Sequence, residues 1–125
     1  MNRHGLLDAY GCPPDLLRDA SALQTVLQTA AQAAGATVLW AHFHTFGGAG
    51  GVTGVLLLAE SHISIHTWPE HGFAAADVFV CGQLRLHAAR RILEQSLRPQ
   101  HSEWTEHGRG AFAPSRGVPS VEKFN

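Results

Sequence analysis

The stretch from Glu60 to Gly82, ESHISIHTWPEHGFAAADVFVCG, holds Ser61, His66 and Cys81, the hydroxyl, imidazole and thiol that nucleophilic and acid–base chemistry draw on. Within it Ile63, Ile65 and Thr67 alternate with Ser64, His66 and Trp68, a period of two that predicts a strand. Pro69-Glu70-His71-Gly72 predicts a turn, and Phe73 to Val80 the returning strand. Folding about that turn pairs positions whose numbers sum to about 141. His66 then lies near Ala75, Ser64 near Asp77, and Cys81 returns to Glu60 and Ser61. The three groups are thereby expected to converge at one end of a hairpin. Ser61 and His66 point to opposite faces of a regular strand, so one shared site requires irregular backbone near Ser61.

The surrounding pattern supplies the elements that must hold this hairpin. Leu16, Ala20, Leu23, Leu27, Ala30 and Ala34 recur at spacings of three and four, which predicts an amphipathic helix over 15–34 that starts after Pro13-Pro14 and ends at Gly35. Thr37 to Phe46, rich in β-branched and aromatic residues, predicts a strand. Residues 47–51, GGAGG, form a loop. The apolar run from Val52 to Ala59 predicts a strand buried on both sides. A second helix is expected over 83–97, with Leu86, Ala89, Ile92, Leu93 and Leu97 on one side, and a short strand near 102–107. The sum is one α+β domain over 1–125: a two-layer α/β sandwich, an antiparallel sheet of about four strands with helices packed on one face. The segment 111–125 reads as a loose tail.

Composition narrows the function classes. The chain has 125 residues and a formal net charge of −1, so no basic excess is there to neutralise nucleic acid or an anionic membrane. No apolar run approaches the ~20 residues of a membrane span, and the first residues lack a signal-peptide succession. A cytoplasmic location follows as the expectation. Charged residues make up only 15 %, a shortage that suits surface lost to a partner subunit. Taken singly, Ser61, His66 and Cys81 would each pass for structural residues; their joint spacing does not.

That spacing resembles the processing and active-site region of prokaryotic S-adenosylmethionine decarboxylases, in which ESH(I/L)xIHT(W/Y)PExGxAAxDxFxCG surrounds a self-cleavage serine; every fixed position is present. RHGLLDAYGC, GATVLWAHFHTF, GVTGVLLLAESH and EHGRG are similar to other family segments, so roughly residues 3–110 are covered. The resemblance implies an autocatalytic proenzyme cut between Glu60 and Ser61 into chains 1–60 and 61–125. It implies that Ser61 Oγ attacks the carbonyl of Glu60, that the ester is split with His66 handling the proton, and that position 61 becomes a pyruvoyl group. This group is the cofactor, forming a Schiff base with the substrate amine in place of pyridoxal phosphate, and Cys81 reprotonates the substrate carbon. Thr53 falls where a serine assisting processing is expected, and Phe46 and Glu70 where the adenine and ribose are bound. The implied enzyme is a pyruvoyl-dependent carboxy-lyase making decarboxylated S-adenosylmethionine for polyamine (spermidine) synthesis, as a homodimer.

Two departures bear on substrate. The loop after Phe46 has no proline and one extra residue, and the acidic stretch after Cys81 is replaced by QLRLHAA. L-ornithine or L-arginine decarboxylation on the same fold is therefore the alternative to S-adenosylmethionine. Readings of a different class are an unprocessed, non-catalytic homologue and a metal-binding module. For the latter, His42 and His44 share a strand face with His62 and His66 as conceivable partners, but no carboxylate follows at a suitable spacing, and no metal is expected. Cys12 reads as structural, Trp40 and Trp104 as core or interface aromatics, and His71 as an exposed turn residue.

Overall fold

Nine elements follow one another in a computed structural model that describes residues 2–59 and 61–110. They are β1 (Asn2–Tyr10), α1 (Pro14–Leu17), α2 (Ala20–Ala34), β2 (Val38–Thr45), β3 (Val52–Leu58), β4 (Ser61–Trp68), β5 (Phe73–Val80), α3 (Leu86–Leu97) and β6 (His101–Arg109), with a 3-10 turn at Pro69–His71 between β4 and β5. The expected tail at 111–125 and Glu60 of the cleavage pair lie outside the described residues.

The helix expected over 15–34 is two helices. Pro13 starts α1, but Asp19 adopts extended backbone and its carboxylate accepts a hydrogen bond from Ala22 N at 3.0 Å, capping a fresh start for α2. Both pieces bury leucines, Leu17 from α1 and Leu23 and Leu27 from α2, so the apolar rhythm runs unbroken across the kink. Gly35, at φ 83°, ends α2 and donates to the carbonyls of Ala31 and Gln32. The second helix begins at Leu86, later than expected, and buries Leu86, Ala89, Leu93 and Leu97.

All strands join one antiparallel sheet in the order β2-β3-β4-β5-β1-β6. Six strands replace the expected four or so: β1, for which there was only the family resemblance, sits between β5 and β6, and β6 is longer than anticipated. The hairpin register is as expected, with His66 opposite Ala75 and Ser64 opposite Asp77. The helices cover one face. Leu7 and Ala9 of β1, Leu56 and Leu58 of β3, Ile63 and Ile65 of β4, and Ala76 and Val78 of β5 point into this core. A bulge at Leu39 lets both Val38 and Ala41 of β2 face it. Gly54 keeps room for the Phe43 ring, which a Cβ would meet at 2.1 Å.

The other face is open among the described residues. The run from Val52 is therefore not a strand buried on both sides: β3 alternates, and Leu57 is 47 % exposed. Trp40, 56 % exposed, lies beside it, and Leu6, Tyr10 and Trp68 carry the apolar surface across the sheet. Trp104 packs on the core side beneath Arg90, whose guanidinium lies 5.0 Å from the ring centroid. Cys12 is buried and unbridged, its thiol pushed up to about 11 by burial, and His71 is exposed in the turn. No helix among the described residues is long and apolar enough to cross a membrane.

Candidate active site

Ser61 is the first residue of β4, and only two positions separate it from its partner Leu58 in β3. The parity of β4 turns its side chain toward the helices, where it is 7 % exposed, and Ser61 Oγ is buried with no hydrogen-bond partner among the described residues. A buried hydroxyl without a partner costs free energy, so its retention needs an explanation other than stability, a catalytic role being one. Carrying the β4–β5 register one step past His62 and Phe79 sets Val80 opposite Ser61 and Cys81 just beyond. The half-buried Cys81 lines a cleft of about 530 Å³ with Ala59, Gly35, Thr37, Gln83 and Arg85. The Arg85 guanidinium donates to the Ala33 carbonyl at 3.1 Å, at the C-terminal end of α2.

His66 is elsewhere. Strand β4 pairs in regular register with β3 over residues 61–66 and with β5 over 62–68, and among the described residues the expected meeting of all three groups does not occur within the chain. At 3.3 Å per residue His66 is roughly 16 Å along the strand from Ser61, on the opposite face. There it gathers with the other expected site residues. Phe46, Thr53, His66 and Glu70, with Trp68, line a second cleft of about 350 Å³. Thr53 Oγ1 and His66 Nδ1 are hydrogen-bonded at 3.0 Å. Glu70 comes from the 3-10 turn, and Phe46 closes the loop by donating from its N–H to the Gly51 carbonyl at 2.8 Å. Despite the extra loop residue, Phe46 thus remains in the cleft. Gly48 and Gly50 hold φ of 71° and 85° in this loop, which side chains with a Cβ rarely adopt. Arg18 steadies the loop, Nε donating to the Ala49 carbonyl at 3.4 Å. Beneath it Thr67 Oγ1 donates to the Leu17 carbonyl at 2.6 Å and accepts from Val52 N at 2.9 Å, tying α1, β3 and β4 together.

A third group was not foreseen as a whole. On the open face Asp77 Oδ2 is hydrogen-bonded to His4 Nε2 at 2.6 Å and to His62 Nε2 at 3.0 Å, and Ser64 Oγ donates to Asp77 Oδ1. Arg109 donates to His4 Nδ1 at 3.1 Å. Burial alone would raise the Asp77 carboxyl, but the hydrogen bonds from His62, Ser64 and His4 and the His62 charge outweigh it and hold it well below the usual carboxylate range. The same contact raises His62 above its ordinary value, against burial. The hairpin register anticipates the Ser64–Asp77 contact; nothing local brings His4 to it. His42 and His44 point to the open face of edge strand β2, away from this group.

Fold and sites together define a two-layer α+β protein with reactive groups at both ends of one strand and an open apolar sheet face. The comparisons are specific within that class. The sequence pattern of S-adenosylmethionine decarboxylase matches residues 3–110. The S-adenosylmethionine decarboxylase proenzyme of Parasynechococcus marenigrum is 50 % identical over 101 residues, 80 % of this chain and 78 % of that one. The proenzyme of the same name from Pyrobaculum islandicum is 45 % identical over 104 residues, 82 % of this chain and 83 % of that one. The crystal structure of the adenosylmethionine decarboxylase from Aquifex aeolicus superposes with a TM-score of 0.85 at 34 % identity, covering 94 % of this chain and 98 % of that one. This chain belongs to the S-adenosylmethionine decarboxylase family.

Proposed function

We propose that the chain is a self-processing, pyruvoyl-dependent decarboxylase of S-adenosylmethionine, cytoplasmic, whose product feeds spermidine synthesis. One observation carries the reading: the nucleophile that must attack the preceding carbonyl, Ser61 Oγ, is buried and has no hydrogen-bond partner among the described residues, beside a strand reversal. Held by no hydrogen bond among the described residues, it is available for the N-to-O shift at Glu60, after which the ester is opened with His66 as proton carrier and Thr53 as its hydrogen-bonded support. The orphaned hydroxyl fits a position converted to a carbonyl, because a carbonyl there leaves no donor unsatisfied. A pyruvoyl group at position 61 would supply the electron sink for loss of carbon dioxide. Cys81 would hold the proton returned to the substrate carbon, while Phe46 and Glu70 would bind the nucleoside through ring stacking and ribose hydroxyls.

Ser61 and His66 cannot cooperate across one strand, which supports a homodimer with composite sites. A two-fold axis can set the His66 end of one protomer against the Ser61 and Cys81 end of its partner and so complete two sites. Covering the open face in such a dimer would also take Trp40, Leu57, Leu6 and Trp68 out of water. Intact-mass measurement of freshly purified protein tests the processing step. Two fragments, 1–60 and a 61–125 chain lacking its terminal amine, are expected, and Ser61→Ala should stay whole. A wild-type chain that persists uncut would overturn the proposal, and release of carbon dioxide from ornithine but not from S-adenosylmethionine would overturn the substrate.

A further inference from the structure

Resting on the reading that the chain is cut before Ser61, we propose that Asp77 is a positioning residue that clamps the newly made chain end. Before cutting, the strand reversal between Leu58 and Ser61 tethers the start of β4 covalently. Cutting removes that tether and makes position 61 a strand terminus, where chains ordinarily fray. The second and fourth residues of the new chain, His62 and Ser64, are the two that Asp77 grips, one on each carboxylate oxygen.

Asp77 can bear this role because it is itself fastened. It lies in β5, flanked by β4 and β1, and His4 Nε2 bonds the same Oδ2 that holds His62. Guanidinium groups only donate, so the Arg109 contact makes His4 Nδ1 the acceptor and leaves Nε2 carrying a proton toward Asp77. That proton also argues against the other use of this trio. His4, His62 and Asp77 are close enough to ligate an ion, but a metal would need the lone pair on His4 Nε2 and would turn a proton toward Arg109.

Side chains alternate along a strand. Fixing residues 62 and 64 on the open face therefore fixes position 61 toward the helices and the Cys81 end. A terminus free to twist by one residue would carry its reactive group to the wrong face. The clamp acts through His62 and Ser64 and touches no substrate.

The test combines Asp77→Asn with two single-grip variants, His62→Gln and Ser64→Ala, which keep it decisive if the first fails to fold. Intact mass is read first, then hydrogen exchange over residues 61–66 in the cut protein and in an uncut Ser61→Ala background. Cutting should proceed. Exchange over 61–66 should rise about tenfold or more in the cut protein, the scale of a lost charge-assisted hydrogen bond, and change little in the uncut one; kcat should fall with KM nearly unchanged. Equal rises in cut and uncut proteins would make Asp77 a general sheet fastener and overturn the clamp, as would wild-type protection and kcat in cut Asp77→Asn. A folded Asp77→Asn chain that is not cut would move Asp77 into the cutting step and equally overturn it. A wild-type chain that is never cut fails at the mass measurement, before any exchange is read, and takes the clamp with it.

Discussion

Two defective chains should repair one another. Ser61→Ala lacks the nucleophile and His66→Ala lacks the proton carrier, so each alone should remain uncut. Within one protomer the intact partner is no help, because the groups are roughly 16 Å apart on opposite faces of β4, several times the ~3 Å that proton transfer allows. In a two-fold dimer with composite sites, a mixed pair has one complete site, joining Ser61 of the His66→Ala chain to His66 of the other. Random pairing makes about half the dimers mixed, each with one site of two, so co-expression should give about a quarter of wild-type activity. Selecting mixed dimers through two different affinity tags should raise this to about half. Intact mass gives the sharper readout, since only the His66→Ala chain should appear as fragments. If doubly tagged dimers are recovered and neither chain is cut, or if His66→Ala alone is cut at the wild-type rate, the composite site is refuted.

Phe46→Ala should raise KM for S-adenosylmethionine by about tenfold, the equivalent of a lost aromatic stacking contact; an unchanged KM would remove Phe46 from the adenine site. Thr67→Val preserves shape but deprives Val52 N–H and the Leu17 carbonyl of their shared partner, which should lower unfolding free energy by about 2 kcal/mol in urea titration. The Asp77 group makes stability depend on pH from both sides. His62 is raised above 6.5, so its contribution is complete below that value and lost as pH rises through the folded value. Asp77 is lowered from 3.8, so its contribution is present above that value and lost as pH falls toward the folded one. Thermal melts should therefore be highest between these limits, and Asp77→Asn should flatten both flanks.

The hairpin was legible because its signals are local: a period of two over Ile63–Trp68 and the turn signal at Pro69–Gly72 set a register that the structure keeps. The helix break at Arg18–Asp19 was hidden because α1 and α2 bury leucines against the same sheet, and the rhythm does not register a kink. Strand β3 read as doubly buried because Val55 and Leu57 are apolar on a face that the chain leaves open; exposed apolar residues look in sequence like residues meant for a core. The least legible feature was β1. Its neighbours β5 and β6 lie far along the chain, so no local pattern could announce that His4 would complete the Asp77 group. Of the candidate site, the gathering of Phe46, Thr53, His66 and Glu70 about one cleft and its separation from Ser61 and Cys81 were not legible, since both depend on how the strands are laid side by side.

The order β2-β3-β4-β5-β1-β6 has a consequence for a chain cut at 60–61. One piece would own β1, β2 and β3 and the other β4, β5 and β6, so the two would be interwoven, with β1 of the first enclosed by β5 and β6 of the second. Neither piece could slip away from an edge, and separation would require the whole sheet to come apart. Once apart, they would have to find each other by diffusion, turning a unimolecular refolding reaction into a concentration-dependent one. Maturation would thus act as a ratchet: the uncut chain can unfold and recover, whereas the cut one keeps its structure only as long as it never loses it.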